Sequence, residues 1–135
     1  MPVLLLALAM TLLPDAAPAK GWEVVGQVGA LSMIYVEPAH LKDPKVVAEV
    51  VAFVYQKLGK EHAFQIDFFD DRAATPNALP YVWENRLHQK AKFNFNPKNS
   101  LQRFVRLEME PSPGKPGKMH FKETEEKLPL PPSSR

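Results

Sequence analysis

Apolar residues recur at helical spacing between residues 44 and 58. The stripe consists of Val47, Val50, Val51, Val54 and Leu58. Asp43 is a favourable N-cap residue, and Pro44 suits the first position of a helix. Gly59 follows the stripe, where a helix often ends in a glycine. The pattern therefore predicts an amphipathic helix over residues 44–58, held by packing because its many valines have a low helix propensity.

Three other segments alternate between apolar and polar positions, as strands do. Residues 30–36 are apolar on both faces, which is typical of a central strand. In residues 63–69 one face carries Phe64, Ile66 and Phe68. Residues 101–109 predict the last strand, and residues 22–28 a short strand or an arm. The order strand, helix, strand favours a parallel crossover from residues 30–36 to residues 63–69.

The segment between residues 80 and 96 admits two interpretations. Pro80 and the spacing of apolar residues after it favour a helix to about Lys92. The alternation over residues 91–96 instead indicates a hairpin of residues 90–96 with residues 101–107. With the helix, the predicted fold is α+β: a small two-layer sandwich with a three-stranded sheet, in the order βαβ(α)β. One or two helices would then cover one face of the sheet.

The amino-terminal segment is apolar over residues 3–13 and continues into Ala17-Pro18-Ala19. An apolar run of this length followed by a small-x-small pattern is typical of a secretory signal peptide. We therefore expect a signal peptide over residues 1–19 and an exported, periplasmic or extracellular protein without a stable membrane span. A buried amino-terminal helix and an uncleaved anchor remain as alternatives.

The carboxyl-terminal segment, residues 110–135, contains six prolines and few large apolar residues. Such a composition buries too little apolar surface to offset the entropy lost on ordering. The sequence therefore predicts a disordered, proline-rich tail over residues 110–135 and a single domain over residues 20–109.

The composition of the 135 residues excludes several kinds of site. The chain has no cysteine, which removes disulfides, thiol nucleophiles and iron–sulfur clusters. Its four histidines show no metal-binding spacing, and neither a phosphate-binding loop nor a dinucleotide-binding motif occurs. No cofactor and no metal are predicted, and the lack of a catalytic motif favours a protein that is not an enzyme.

Three acids are nevertheless candidates for catalysis. Glu37, Asp70 and Asp71 follow the two strands predicted to be parallel, so they would lie at one edge of the sheet. Ligands usually bind at that edge in open α/β sheets. Clustered carboxylates suit acid–base chemistry or a hard cation, which predicts a small hydrolase or a metal-binding protein. The alternative is that Asp70 and Asp71 only form a turn.

Every charged residue between Asn85 and Leu107 is basic. The anion-binding candidates are Lys90, Lys92 and Arg103, within a basic stretch that extends from Arg86 to Arg106. Phenylalanines alternate with these bases, an arrangement that binds polyanions. Because export argues against nucleic acid, the expected ligand would be an anionic polymer of the cell envelope. The alternative is a solvated basic face.

The preferred hypothesis concerns the sheet face that the helices would leave thinly covered. We expect Phe69 and Phe104 to lie there beside Asp67 and Arg106. Monomeric proteins seldom expose a large apolar patch. The sequence therefore predicts a non-catalytic binding or interaction module that meets a protein partner, or a second copy, through this open face.

The order of these motifs resembles a group of small exported bacterial proteins of uncharacterised function. The resemblance lies in Phe68-Phe69-Asp70-Asp71-Arg72, in Leu79-Pro80 before a helix, and in Asn94-x-Asn96-Pro97 before the last strand. It covers about residues 30–108. It implies a compact α+β domain and export, and no particular activity. Relatives with this pattern often carry cysteines, which this chain lacks.

Overall fold

The computed structural model describes residues 21–59 and 61–130, and within them one mixed sheet contains six strands. The strands are β1 (Trp22–Val28), β2 (Leu31–Val36), β3 (Phe64–Phe69), β4 (Gln89–Asn96), β5 (Leu101–Pro111) and β6 (Met119–Glu126). They lie in the sheet in chain order. The pair β2–β3 is parallel and the other neighbours are antiparallel. The predicted signal peptide, residues 1–19, lies outside the described residues.

Three helices occur in the same described residues. They are α1 (Pro38–Leu41), α2 (Pro44–Leu58) and α3 (Trp83–Leu87). The prediction for α2 is confirmed at both ends. Asp43 caps it by accepting a hydrogen bond from the Lys45 backbone N–H at 3.0 Å, and Gly59 ends it with a φ of 89°. None of these helices is long and apolar enough to cross a membrane.

The main core lies between α2 and one face of the sheet, which we call the helix face. The valine stripe of α2 packs there against alternate residues of the strands. The buried members from the strands are Trp22, Ile34, Val36, Phe64, Ile66, Phe68, Ala91, Phe93 and Phe104. Because α2 connects β2 to β3 across this face, the two strands run parallel, as predicted.

The opposite face of the sheet, the second face, is covered over β1–β3 by residues 71–82, the crossing loop. The Tyr81 ring meets the Phe69 ring edge-on, with centroids 5.6 Å apart. Asn77 passes so close to Gly26 that a Cβ on the glycine would lie 2.4 Å from the Asn77 Cα. Only glycine therefore allows the loop to cross β1 at this point. Ala74 and Thr75 of the same loop are buried.

The predicted three-stranded sheet is wrong, because the described sheet has six strands. The arm at residues 22–28 is β1, an edge strand paired with β2. The helix expected to reach Lys92 ends at Leu87, and the alternative hairpin of β4 and β5 is the one observed. The alternation of Ala91, Phe93 and Phe95 prevails because strands on both sides satisfy the backbone of β4.

The prediction of a disordered tail is also wrong for residues 110–130. Residues 119–126 form β6, so the domain does not end at residue 109. The prolines at 113 and 116 lie in the turn between β5 and β6, where no ladder hydrogen bond is lost. Gly114 and Gly117 supply positive φ angles of 68° and 77° in this turn. Leu128 then reaches the core on the helix face.

Candidate functional site

The acidic candidates do converge at the carboxyl ends of β2 and β3, since these strands are parallel neighbours. Tyr35, near the end of β2, reports their proximity. Burial raises the pKa of its phenol, and the charges of Glu37, Asp71 and Asp70 raise this pKa further. The charges of all three acids therefore act on one side chain at this edge of the sheet.

Each of these acids also has a local partner. Glu37 Oε1 lies 3.0 Å from His40 Nδ1, and Asp70 Oδ1 lies 2.9 Å from His88 Nδ1. Asp71 Oδ2 accepts a hydrogen bond from the Ala74 backbone N–H at 2.9 Å, as a turn-forming aspartate does. In the described part of the chain, no group of three or more acids and histidines could hold a metal ion.

His88 brings an imidazole to the carboxyl end of β3, beside Asp70. A carboxylate that holds one imidazole nitrogen leaves the other available as a base. Here the second nitrogen, Nε2, lies 4.0 Å from Glu84 Oε2. His88 therefore lies between two carboxylates and links the end of β3 to α3.

The two phenylalanines of the interaction hypothesis lie on opposite faces of the sheet. Phe104 packs on the helix face, its ring 5.9 Å from the Phe68 ring, and is 2% exposed. Phe69 lies on the second face under Tyr81 and is 0% exposed. The expectation of a thinly covered face is therefore wrong at both positions, because Phe104 is buried in the main core and the crossing loop covers Phe69.

Asp67, the third member of that hypothesis, is buried and holds the crossing loop in place. Its carboxylate accepts hydrogen bonds from the Tyr81 hydroxyl and from Gln65 Nε2, the latter at 2.8 Å. Burial raises the pKa of Tyr81, and the hydrogen bond to Asp67 raises it further. The phenol therefore stays protonated and continues to donate.

Arg106, the fourth member, points to the helix face and joins three elements. Its guanidinium donates to Glu126 through Nε at 2.8 Å and to the Leu41 carbonyl through Nη1 at 2.6 Å. It also lies 4.9 Å from the centre of the Phe104 ring. The hydrogen bond from Arg106 to Glu126 lowers the pKa of the Glu126 carboxyl below its usual value of 4.5.

The depressed pKa of Glu126 predicts a stability that depends on pH. The ion pair stabilises the fold fully above about pH 4.5, the ordinary value for Glu, and this contribution is lost as the pH falls through the lower folded-state pKa. Glu126→Gln should cost about 1 kcal/mol of unfolding free energy near pH 6, and about nothing near pH 3. Urea unfolding of both proteins at the two pH values measures the difference.

The control for this experiment is Glu49→Gln, which changes an exposed carboxylate on α2 that has no ion-pair partner among the described residues. Its unfolding free energy should follow that of the parent at both pH values. A deficit in Glu126→Gln that persists unchanged near pH 3 would contradict the assignment.

The basic candidates are divided by the structure. Lys92 and Arg103 lie on the second face, where both pair with Glu123 of β6, at 3.5 Å and 3.7 Å. Arg103 also lies 3.5 Å from Glu125. The acids of the segment expected to be a tail thus pair with two of the three anion-binding candidates. Lys90 lies apart from them, at the irregular end of β4.

Sequence reasoning missed a surface patch around α3, although its composition is visible in the sequence. We define the α3 patch as four exposed apolar residues: Leu79 at 51%, Val82 at 60%, Trp83 at 54% and Leu87 at 38%. The short helix α3 has no buried residue at all. Val82, Trp83 and Leu87 fit a helical spacing, so the sequence predicted that they form the packed face of a helix.

A groove of about 450 Å³ lies beside this patch on the second face. Its apolar walls come from the crossing loop on one side and from the β5–β6 hairpin on the other: Leu79, Pro80, Leu107 and Phe121. Its polar floor contains Asp67 and Lys92. The patch and the groove share Leu79 and are therefore adjacent.

Comparison with known proteins gives no relative: no protein-family model, no curated protein and no solved structure matches this chain.

Proposed function

We propose that this chain is a small non-catalytic protein-interaction module and that the α3 patch is its contact surface. The observation that carries the proposal is the exposure of four large apolar side chains within nine positions, Trp83 among them. Single exposed apolar residues are ordinary, but a contiguous group marks an interaction site. Tryptophan is also the residue type most enriched among those that dominate binding energies.

The patch is held in a fixed conformation, which favours binding because little entropy remains to be lost. Asn85 Oδ1 accepts a hydrogen bond from the Val82 backbone N–H at 2.8 Å, and Asn85 Nδ2 donates to the Ala74 carbonyl at 2.9 Å. The hydrogen bond from Tyr81 to Asp67 fixes the preceding residues to the sheet. The exposed side chains therefore extend from a braced backbone.

The occupant we propose for this surface is a second copy of the chain. Glu84 and Arg86 stand two positions apart on α3, and both are exposed. A two-fold axis through the patch would bring Glu84 of each copy to Arg86 of the other, so that the surface is complementary to itself. The neighbouring groove has apolar walls and a volume of about 450 Å³, which suits an inserted tryptophan from the partner.

We further propose that this module acts outside the cytoplasm. The support is the apolar run of residues 3–13 followed by Ala17-Pro18-Ala19, which is typical of an exported chain.

The test is the mass of the purified protein in solution as its concentration rises. We expect a reversible dimer by light scattering and sedimentation. Trp83→Ala should weaken it at least about tenfold, which corresponds to about 1.4 kcal/mol, because it removes a central anchor. The emission of Trp83 should move to shorter wavelength on dimerisation, since a covered indole leaves water.

The matched control is Val28→Ser, which removes an exposed apolar side chain at the end of β1, outside the patch. It should leave the dimer unchanged. A monomer at every concentration would refute the second copy as the occupant. A dimer that Trp83→Ala does not weaken would place the interface elsewhere. If a different protein binds the chain and Trp83→Ala releases it, that protein is the occupant of the α3 patch instead of a second copy.

A further inference from the structure

A second concave site lies at the end of the sheet, where α1 meets β5. This basic cleft, as we call it, has a volume of about 380 Å³. Its lining comes from the α1 region, from Asp70 directly after β3, from the beginning of β4 and from the β5–β6 hairpin. No residue of the α3 patch lines it.

Three cations line the basic cleft, and two of them lack an ion-pair partner among the described residues. Lys90 is half-buried, yet its ammonium makes no hydrogen bond or ion pair with a described residue. Lys42 is exposed at the rim and likewise has no ion pair within residues 21–59 and 61–130. An anion bound beside these two ammonium groups would supply the charge partner that they lack among the described residues.

Arg106 retains donors for the same ligand. A guanidinium has five N–H groups, and three of those on Arg106 are used, two on Glu126 and one on the Leu41 carbonyl. The two remaining N–H groups belong to Nη1 and Nη2. Because Glu126 and Leu41 fix the position of the guanidinium, it is already oriented when a ligand arrives.

The two acids that line the cleft form no ion pair with Lys42 or Lys90. Two acids line it, Asp70 and Glu108, against three bases. Asp70 is hydrogen-bonded to His88 Nδ1 at 2.9 Å, and Glu108 lies exposed opposite Lys122 in the β5–β6 pair. The hydroxyl of Thr124, which lies on β6 opposite Arg106, adds a neutral donor. Because Glu126 already neutralises Arg106, the ammonium groups of Lys42 and Lys90 are the charges that remain for a ligand with one negative group.

The rest of the lining is apolar, because Pro38, Leu41 and Leu107 contribute hydrocarbon surface. Pockets for small organic molecules combine such surface with a few oriented polar groups. We propose that the basic cleft binds a small organic carboxylate, with its carboxylate at Lys90 and Arg106 and its hydrocarbon part on Leu41 and Leu107.

Titration of the whole protein with octanoate tests this assignment, followed by calorimetry and by NMR shifts of the residues in the cleft. Octanol, of the same length but uncharged, and inorganic phosphate, charged but without hydrocarbon, are the matched probes. We expect saturable octanoate binding below about 10 mM, at least about tenfold tighter than either probe.

The variants separate the cleft from general surface charge. Lys90→Gln should weaken octanoate binding at least about tenfold, while Lys98→Gln, an exposed base in the β4–β5 turn, should leave it within about twofold. Lys42→Gln, at the rim, provides a second arm if Lys90→Gln unfolds, and circular dichroism reports folding. Octanoate binding that is absent, matched by octanol or phosphate, or equally weakened by Lys98→Gln would overturn the proposal.

Discussion

A chain that ends at Pro111 is expected to be largely unfolded at 25 °C. Strand β6 pairs with β5 along eight positions, and its loss exposes the whole outer edge of β5. Leu128, which packs in the main core with Phe93 and Phe104, is removed as well. Arg106 would remain half-buried without Glu126, an uncompensated charge. The combined loss is roughly 5 kcal/mol, comparable with the whole stability of a domain of this size.

Circular dichroism and the dispersion of amide NMR signals measure this outcome. Because a truncation removes many contacts together, single changes within the segment provide the scale. Leu128→Ala should cost about 2–4 kcal/mol, since it leaves a cavity in the core. The neighbouring Lys127→Ala, at an exposed position, should change stability by less than about 0.5 kcal/mol. A truncated chain that unfolds cooperatively at the parent's temperature would show that β6 contributes nothing to the fold.

The sequence predicted the centre of the fold because its signals there are local. Asp43, Pro44 and Gly59 mark both ends of α2, and its stripe of valines gives the helical period. The alternation in β3 assigns its two faces, with Ile66 on the helix face. The parallel pairing of β2 and β3 then follows, because a single helix connects them.

The edges of the sheet could not be predicted in the same way. Of the eight residues in β6, only Met119 and Phe121 are large and apolar. The strand forms because β5 offers an unpaired edge and because bases on β4 and β5 face its acids. These partners are far apart in the chain, and composition alone does not reveal them.

The candidate sites also differ in whether local sequence signals or distant contacts determine them. The acids at the carboxyl ends of β2 and β3 were found because their positions depend only on parallel pairing. The basic cleft depends on α1, on the irregularity in the β3–β4 pair and on the β5–β6 hairpin. The α3 patch was misread because Val82, Trp83 and Leu87 have the spacing of a buried helix face, whereas the chain turns into β4 before a packed helix can form.

Phe69→Ser is expected to destabilise the domain by about 3–5 kcal/mol, rather than to weaken an association between folded molecules. Phe69 is fully buried between the sheet and the crossing loop, where the Tyr81 ring meets it at an interplanar angle of 85°. The substitution removes the aromatic surface and leaves a hydroxyl in an apolar site. The hydrogen bond from Tyr81 to the buried Asp67 depends on the same packing, so the loop should loosen with it.

Urea unfolding compared with sedimentation separates the two outcomes for Phe69→Ser. Trp83→Ala is the matched control, because its side chain is 54% exposed and its loss should reduce association while the unfolding midpoint stays close to the parent's. If Phe69→Ser instead kept the parent's stability and dissociated the dimer, Phe69 would itself contact the partner. The crossing loop would then have to move away from the second face before two copies meet, and the α3 patch would no longer be the contact surface.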